Sequence, residues 1–156
     1  KTGGFPLDIG ADDSHTATKI ALLGYRAIIP ENITASELIP KKGYGTWRVR
    51  RAQHLIQHFA RILKLKPKIP KTFKTILKVE TFLHLLNPWL LLLSTILFIT
   101  SALIMQSITA LAILTMGLLL LFVKQYRTWI TMQAILMMAA IRNLWTKELI
   151  WKKPSK

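Results

Sequence analysis

The sequence predicts an α/β segment followed by an α-helical membrane region. Three observations predict it. The charges are segregated: Asp8, Asp12, Asp13, Glu31 and Glu37 lie in the first 37 residues, whereas residues 38 to 79 carry twelve Lys and Arg and no acid. From about residue 86 the chain turns apolar. The acidic zone reads as a helix followed by a short strand, the pattern of an α/β unit.

The elements follow in order. Asp12, Asp13 and Ser14 are helix-capping residues, and Gly24 is a natural stop, so a helix is expected over roughly 15 to 23. "YRAII" (25 to 29) reads as a strand ended by Pro30, and the glycines of "GYGTW" (43 to 47) as a loop. In "AQHLIQHFARILKL" (52 to 65), Leu55, Ile56, Phe59, Ile62 and Leu63 share one face of a basic amphipathic helix. Such a helix beside a membrane span lies in the interface plane. "KPKIPK" breaks it, and a second helix begins at "KTFKTILKVETFLHLL".

Residues 87 to 107 are uncharged and mostly apolar, enough for one bilayer crossing, with Trp89 near the start as an interfacial residue. Residues 108 to 123 read as a second, shorter span after a tight polar turn at Gln106 and Ser107. Both ends of this hairpin are basic, which places the collar in the cytosol. Residues 128 to 141 are too short for a third span and read as an interfacial or re-entrant helix with a cytosolic tail.

Composition bounds the rest. The chain has 156 residues, about one domain, with 51% hydrophobic residues and a formal net charge of +15. There is no cysteine, which excludes disulfides and thiolate metal sites. The opening "KTGGFPLDIG" has neither the basic head nor the apolar core of a signal peptide, and the chain reads as the C-terminal part of a longer one.

Asp12 and Asp13 are the first candidates for chemistry. One carboxylate suffices to satisfy a helix N-terminus. Two adjacent ones repel each other unless a cation or proton relieves them. His54 and His58 stand one helical turn apart, a ligand spacing, but no third ligand accompanies them, so no metal site is expected and they read as headgroup contacts. Met132, Met137 and Met138 read as apolar packing. "RVRRAQH" lies beside apolar spans, so its expected partners are anionic lipid or diphosphate and not nucleic acid.

"GGF" (3 to 5), an acid pair, and "GYR" beginning eleven residues past Asp13 together resemble the inverting family 2 glycosyltransferases of GT-A fold, in particular the membrane-embedded cellulose-, chitin- and hyaluronan-synthase-like enzymes. Ala11-Asp12-Asp13 takes the place of that family's Thr-Glu-Asp motif, Gly24-Tyr25 its Gly-aromatic pair, and "RVRRA" (48 to 52) its Gln-x-x-Arg-Trp motif. Arg48 stands where the family has Gln, and Ala52 where it has Trp.

The resemblance implies an inverting transfer of a sugar from a nucleotide-diphosphate donor to a saccharide or lipid-linked acceptor at the cytosolic membrane face. It implies Asp13 as general base with Asp12 in support, Arg51 and Arg48 at the donor diphosphate, and Gly3, Gly4 and Phe5 around the acceptor; Trp47 joins the acceptor candidates only because it lies close in sequence to Ala52, where the family has Trp. It also implies Mg or Mn, held by an upstream part of the same protein, so that the fragment alone is inactive. On this reading, residues 1–51 are the C-terminal part of the GT-A catalytic domain and 52–85 are basic interfacial amphipathic helices. Residues 86–124 are two transmembrane helices, and 125–156 an interfacial or re-entrant helix and basic tail. The alternative is a non-catalytic membrane-anchored basic module that binds anionic lipids or a partner subunit.

Overall fold

The computed structural model describes residues 10–26, 28, 30–34, 36, 39–40, 42–64 and 71–146. Six α-helices follow in order among them: α1 (Asp12–Leu22), α2 (Tyr44–Lys64), α3 (Lys71–Thr81), α4 (Asn87–Ile104), α5 (Ile108–Leu120) and α6 (Lys124–Arg142). A π-helical turn, Phe82–Leu86, joins α3 to α4.

The expected α/β segment is not there: among the described residues every regular element is helical and none is a strand. The reason is local. A strand needs its backbone amides for a partner strand, and the start of "YRAII" has already spent one. Gly24, at φ +84°, ends α1 in the left-handed conformation. The Gly24 amide then donates to the Ala21 carbonyl and the Tyr25 amide to that of Ile20, the paired bonds of a Schellman motif. Tyr25 and Ile28 are left exposed, with no neighbouring strand among the described residues to cover them.

Two helix boundaries also differ from the sequence reading. Helix α1 begins at Asp12 with Ala11 as its N-cap, so Asp13 lies inside the first turn and is not itself the cap. Helix α2 begins at Tyr44, directly after Gly43 at φ +73°. Trp47, Arg48 and Arg51 therefore lie on a helix, where a loop was expected at 43 to 47.

Helix α2 organises the fold. Ala52 and Ile56 on one of its faces pack with Ile135, Leu136 and Ala139 of α6, and Val49, Leu85 and Ala140 close around them. Ala139 is fully buried, which lets the two backbones approach. Polar pairs flank this contact: the Gln53 side-chain amide donates to the Thr146 carbonyl (3.0 Å), and that of Gln57 to Asn143 Oδ1 (2.8 Å). Ile56, Phe59 and Ile62 of the expected membrane-facing stripe are buried inside the protein, whereas Leu63 is 62% exposed. A helix with this pattern packs equally well on lipid or on another helix, and α6 supplies the other helix.

The π-turn precedes Pro88, which is buried in the first turn of α4. Proline lacks an amide hydrogen and its ring clashes with the carbonyl four residues back, and a widened π-turn is one way a helix absorbs that. The Asn87 amide donates to Gln133 Oε1 (3.1 Å), tying the start of α4 to α6.

Beyond this point the apolar residues face outward. Helices α4 and α5 pack on each other around a turn in which Gln106 has φ +49° and Ser107 caps α5. Leu97, Ile104, Ile108, Met116, Leu118 and Phe122 are nevertheless exposed. Among the described residues one helical run, Phe73–Ile104, is long and apolar enough to cross a membrane by length and composition. Helix α5 has 13 residues, roughly 20 Å at about 1.5 Å per residue, short of the ~30 Å hydrocarbon core. It meets the test only together with α6, from which it is bent by 103°.

Ile56→Ala should lower the stability of the folded protein by about 2–5 kcal/mol, and Ala139→Leu by about 1–3 kcal/mol through overpacking. Leu63→Ala should stay within about 0.5 kcal/mol. Thermal unfolding in detergent, followed by circular dichroism, ranks the three.

Candidate functional site

Helix α1 lies on the face of α2 that α6 leaves open. Its buried stripe is Ala11, His15 and Thr18, spaced at i, i+4 and i+7. Gly10, just before it, sits so close to the His54 ring that a Cβ there would collide with it. His15 meets His58 edge-on, with ring centroids 5.6 Å apart, and Thr18 Oγ1 lies 3.4 Å from His58 Nε2. Asp13 falls between these contacts in sequence. Its carboxylate is on an exposed residue and accepts from the Ser14 amide at 2.6 Å and from the Ser14 hydroxyl at 3.3 Å.

On α2, Trp47, Arg51, His54 and His58 recur at helical spacing and share the stripe that meets α1. The first turns of α2 gather aromatic rings and guanidinium groups. The rings of Tyr44 and Trp47 stack at 5.6 Å. The Arg51 guanidinium lies 4.9 Å from the Trp47 ring centre and that of Arg48 lies 5.5 Å from the Tyr44 ring, both within cation–π range. Arg48 also reaches the Met132 sulfur on α6. The two arginines thus hold different posts: Arg51 is on the stripe shared with α1, and Arg48 is tied toward α6.

Of the residues predicted from sequence, Arg51, Arg48 and Trp47 form one cluster with Tyr44, and Asp13 is in the first turn of α1, which meets α2 further along, at His58. The side chain of Asp12 and all of Gly3, Gly4 and Phe5 lie outside the described residues. Sequence reading missed Tyr44, which a loop assignment concealed. It also misplaced His54 and His58, which are buried in the α1–α2 contact and do not face headgroups. All four histidines of the protein are held near α2: His15, His54 and His58 in that contact, and His84 of the π-turn stacked on Phe59 at 5.0 Å.

Burial, and then the neighbouring His15, push the His58 pKa from 6.5 down to about 4, against a smaller upward pull from the Asp13 carboxylate. His58 is therefore a neutral ring at ordinary pH. Among the described residues no group of three or more His, Asp or Glu is arranged to hold a metal ion.

The chain is similar to a mannosyltransferase from Pyrobaculum calidifontis, solved in complex with GDP-Man and Mn2+. The two share 53% sequence identity and superpose with a TM-score of 0.80 over 94% of this chain. The chain spans 42% of the length of that protein. No family model matches the sequence, and no curated protein does.

The lowered His58 pKa has a signed consequence for stability. Between about pH 4 and 6.5 the unfolded chain binds a proton at His58 that the folded protein refuses. The stabilisation is complete above about pH 6.5 and is lost as pH falls toward 4, a loss of about 3 kcal/mol. Chemical denaturation at stepped pH should show this fall, and His58→Phe should flatten it.

Proposed function

We propose that this chain is part of a glycosyltransferase that takes a sugar from a nucleotide-diphosphate donor. The observation that carries the reading is the 53% identity, over 94% of the chain, to a mannosyltransferase. At that identity a TM-score of 0.80 reflects shared design and not only a shared fold class. The donor to try first is GDP-mannose, because the neighbour was solved with it.

The chemistry follows from the residues. An acceptor hydroxyl attacks the anomeric carbon as its proton passes to a carboxylate. The bond from that carbon to the donor diphosphate breaks, with inversion. Asp13 is the base: it is exposed, and its hydrogen bond from the Ser14 amide orients one carboxylate oxygen. Negative charge grows on the departing diphosphate and needs cations. Arg51 supplies one, because a guanidinium pairs with two phosphate oxygens at once. Its place over the Trp47 ring limits its freedom before the donor arrives. Arg48 is a weaker candidate for the diphosphate, since its guanidinium is engaged with Tyr44 and Met132. Trp47, beside Arg51, is the candidate for contact with an acceptor.

The Mn2+ in the neighbour supports a divalent cation in the intact protein. That ion would neutralise diphosphate charge alongside Arg51. The membrane is a further part of the reading. It is supported by the exposed apolar faces of α4 and α5 and by the basic residues at both ends of that hairpin. On the charge rule, α1 and α2 face the cytosol, and the basic collar rests against anionic lipid.

Release of GDP from GDP-Man by the intact protein in nanodiscs, with Mn2+, tests the proposal. Asp13→Asn should lower the rate by about 10²–10⁴-fold while folding and membrane insertion persist. Arg51→Ala should lower it by about 10²-fold or more. Equal rates in wild type and Asp13→Asn would remove Asp13 from the mechanism. No release from any nucleotide sugar would leave the non-catalytic, membrane-anchored module as the better account.

A further inference from the structure

Four rings form a continuous chain across the protein. His15 of α1 meets His58 edge-on at 5.6 Å, and His58 meets Phe59 at 5.0 Å and 65°. Phe59 stacks on His84 at 5.0 Å and 24°. His84 belongs to the π-turn from which α4 begins, where its Nδ1 lies 2.7 Å from the Glu80 carbonyl oxygen and 3.4 Å from the Glu80 carboxylate. The chain therefore starts two residues after Asp13 and ends at the foot of the apolar helix. His15, His58 and Phe59 are all at least nine-tenths buried.

The buried contact is a poor place for three imidazoles if stability alone were at stake. A leucine or phenylalanine would bury more apolar surface without leaving His58 Nδ1 unbonded in the interior. Aromatic rings do one thing that aliphatic chains do not: their quadrupoles favour edge-to-face or offset-stacked meetings at defined centroid distances. The Thr18 hydroxyl at His58 Nε2 fixes the rotation of the ring as well.

We propose that His58, through its ring contacts with His15, Phe59 and His84, is a positioning residue that sets the seat of Asp13 relative to the helix α4. This rests on the reading of Asp13 as the base. A displacement of one ångström in a reacting group can cost about 10²-fold in rate, so a ring chain that fixes the seat of α1 acts on turnover more than on binding. His58 is neutral at ordinary pH, so the chain holds its geometry without a buried charge. Asp13, His15, His84 and Glu80 are the titratable groups next to it along the chain.

The test compares His84→Ala, His84→Phe, His58→Ala and His58→Phe in the intact protein, in nanodiscs made with the lipid extract of the native cells. His84 is remote from Asp13 and half-buried, which makes it the informative position. GDP release from GDP-Man gives kcat and the donor KM. His84→Ala should lower kcat about ten-fold with the donor KM within about two-fold, and His84→Phe should restore it. His58→Ala should do the same more severely, with His58→Phe rescuing. Unchanged kcat in both alanine variants, or phenylalanine variants as poor as the alanine ones, would overturn the proposal.

A second readout does not need activity. The chain has no cysteine, so spin labels at Ala17→Cys on α1 and Leu63→Cys on α2, both exposed, report the seat of α1 directly. The label distance should broaden in His58→Ala and return in His58→Phe. If wild type turns over no donor, the glycosyltransferase reading fails, and an unchanged label distance in His58→Ala would separately overturn the ring chain.

Discussion

Ala139 is fully buried between α6 and α2, and the arrangement of the remaining helices follows from that close approach. Ile56, Ile135 and Leu136 fill the space around it, each contributing about 1.5–3 kcal/mol by leaving water. This contact commits one face of α2 to α6. The opposite stripe, with Trp47, Arg51, His54 and His58, is then left for α1. A helix with two occupied faces is a scaffold, and α1 rests on it through His15 and Thr18 at His58, with Gly10 beside His54.

The polar contacts around that core have a different role. Gln53 to Thr146, Gln57 to Asn143 and Asn87 to Gln133 each join residues far apart in sequence. Each contributes little net stability, about 0.5–1.5 kcal/mol. A shift of α6 along α2 would leave the Gln53 and Gln57 amides unbonded in a partly buried setting, and a shift along α4 would do so for Asn87, so they fix the register that apolar packing alone leaves loose. Arg48 and Met132 extend the same tie to the first turns of α2. The apolar faces of α4 and α5 lie outside this system and find no cover among the described residues.

Much of the helical layout was legible in the sequence. The 3.6-residue pattern marked α2, the uncharged run marked α4 and α5, and Gln106-Ser107 marked the turn between them. Gly24 was legible as the end of α1 because a positive φ is costly for other residues there. The strand at "YRAII" failed because β-branched and aromatic residues signal a strand only when a partner strand exists, and none is present among the described residues. The α2 stripe was legible as amphipathic but not as to its occupant, because lipid and a helix such as α6 make the same demand. At the candidate site, motif order pointed to Asp13 and Arg51, and the structure sets Arg51 over the Trp47 ring. The histidine contacts were not. His15 and His58 are 43 positions apart in sequence, and no local spacing announces that such residues will meet.

Hydrogen–deuterium exchange on the intact protein tests the central claim most directly, because it reads the first turns of α1 and α2 as one site. Addition of GDP-Man with Mn2+ should slow exchange in residues 10 to 22 and 44 to 51 together, while residues 108 to 120 stay unchanged. Protection confined to other parts of the protein, with both of these segments unaffected, would contradict the account.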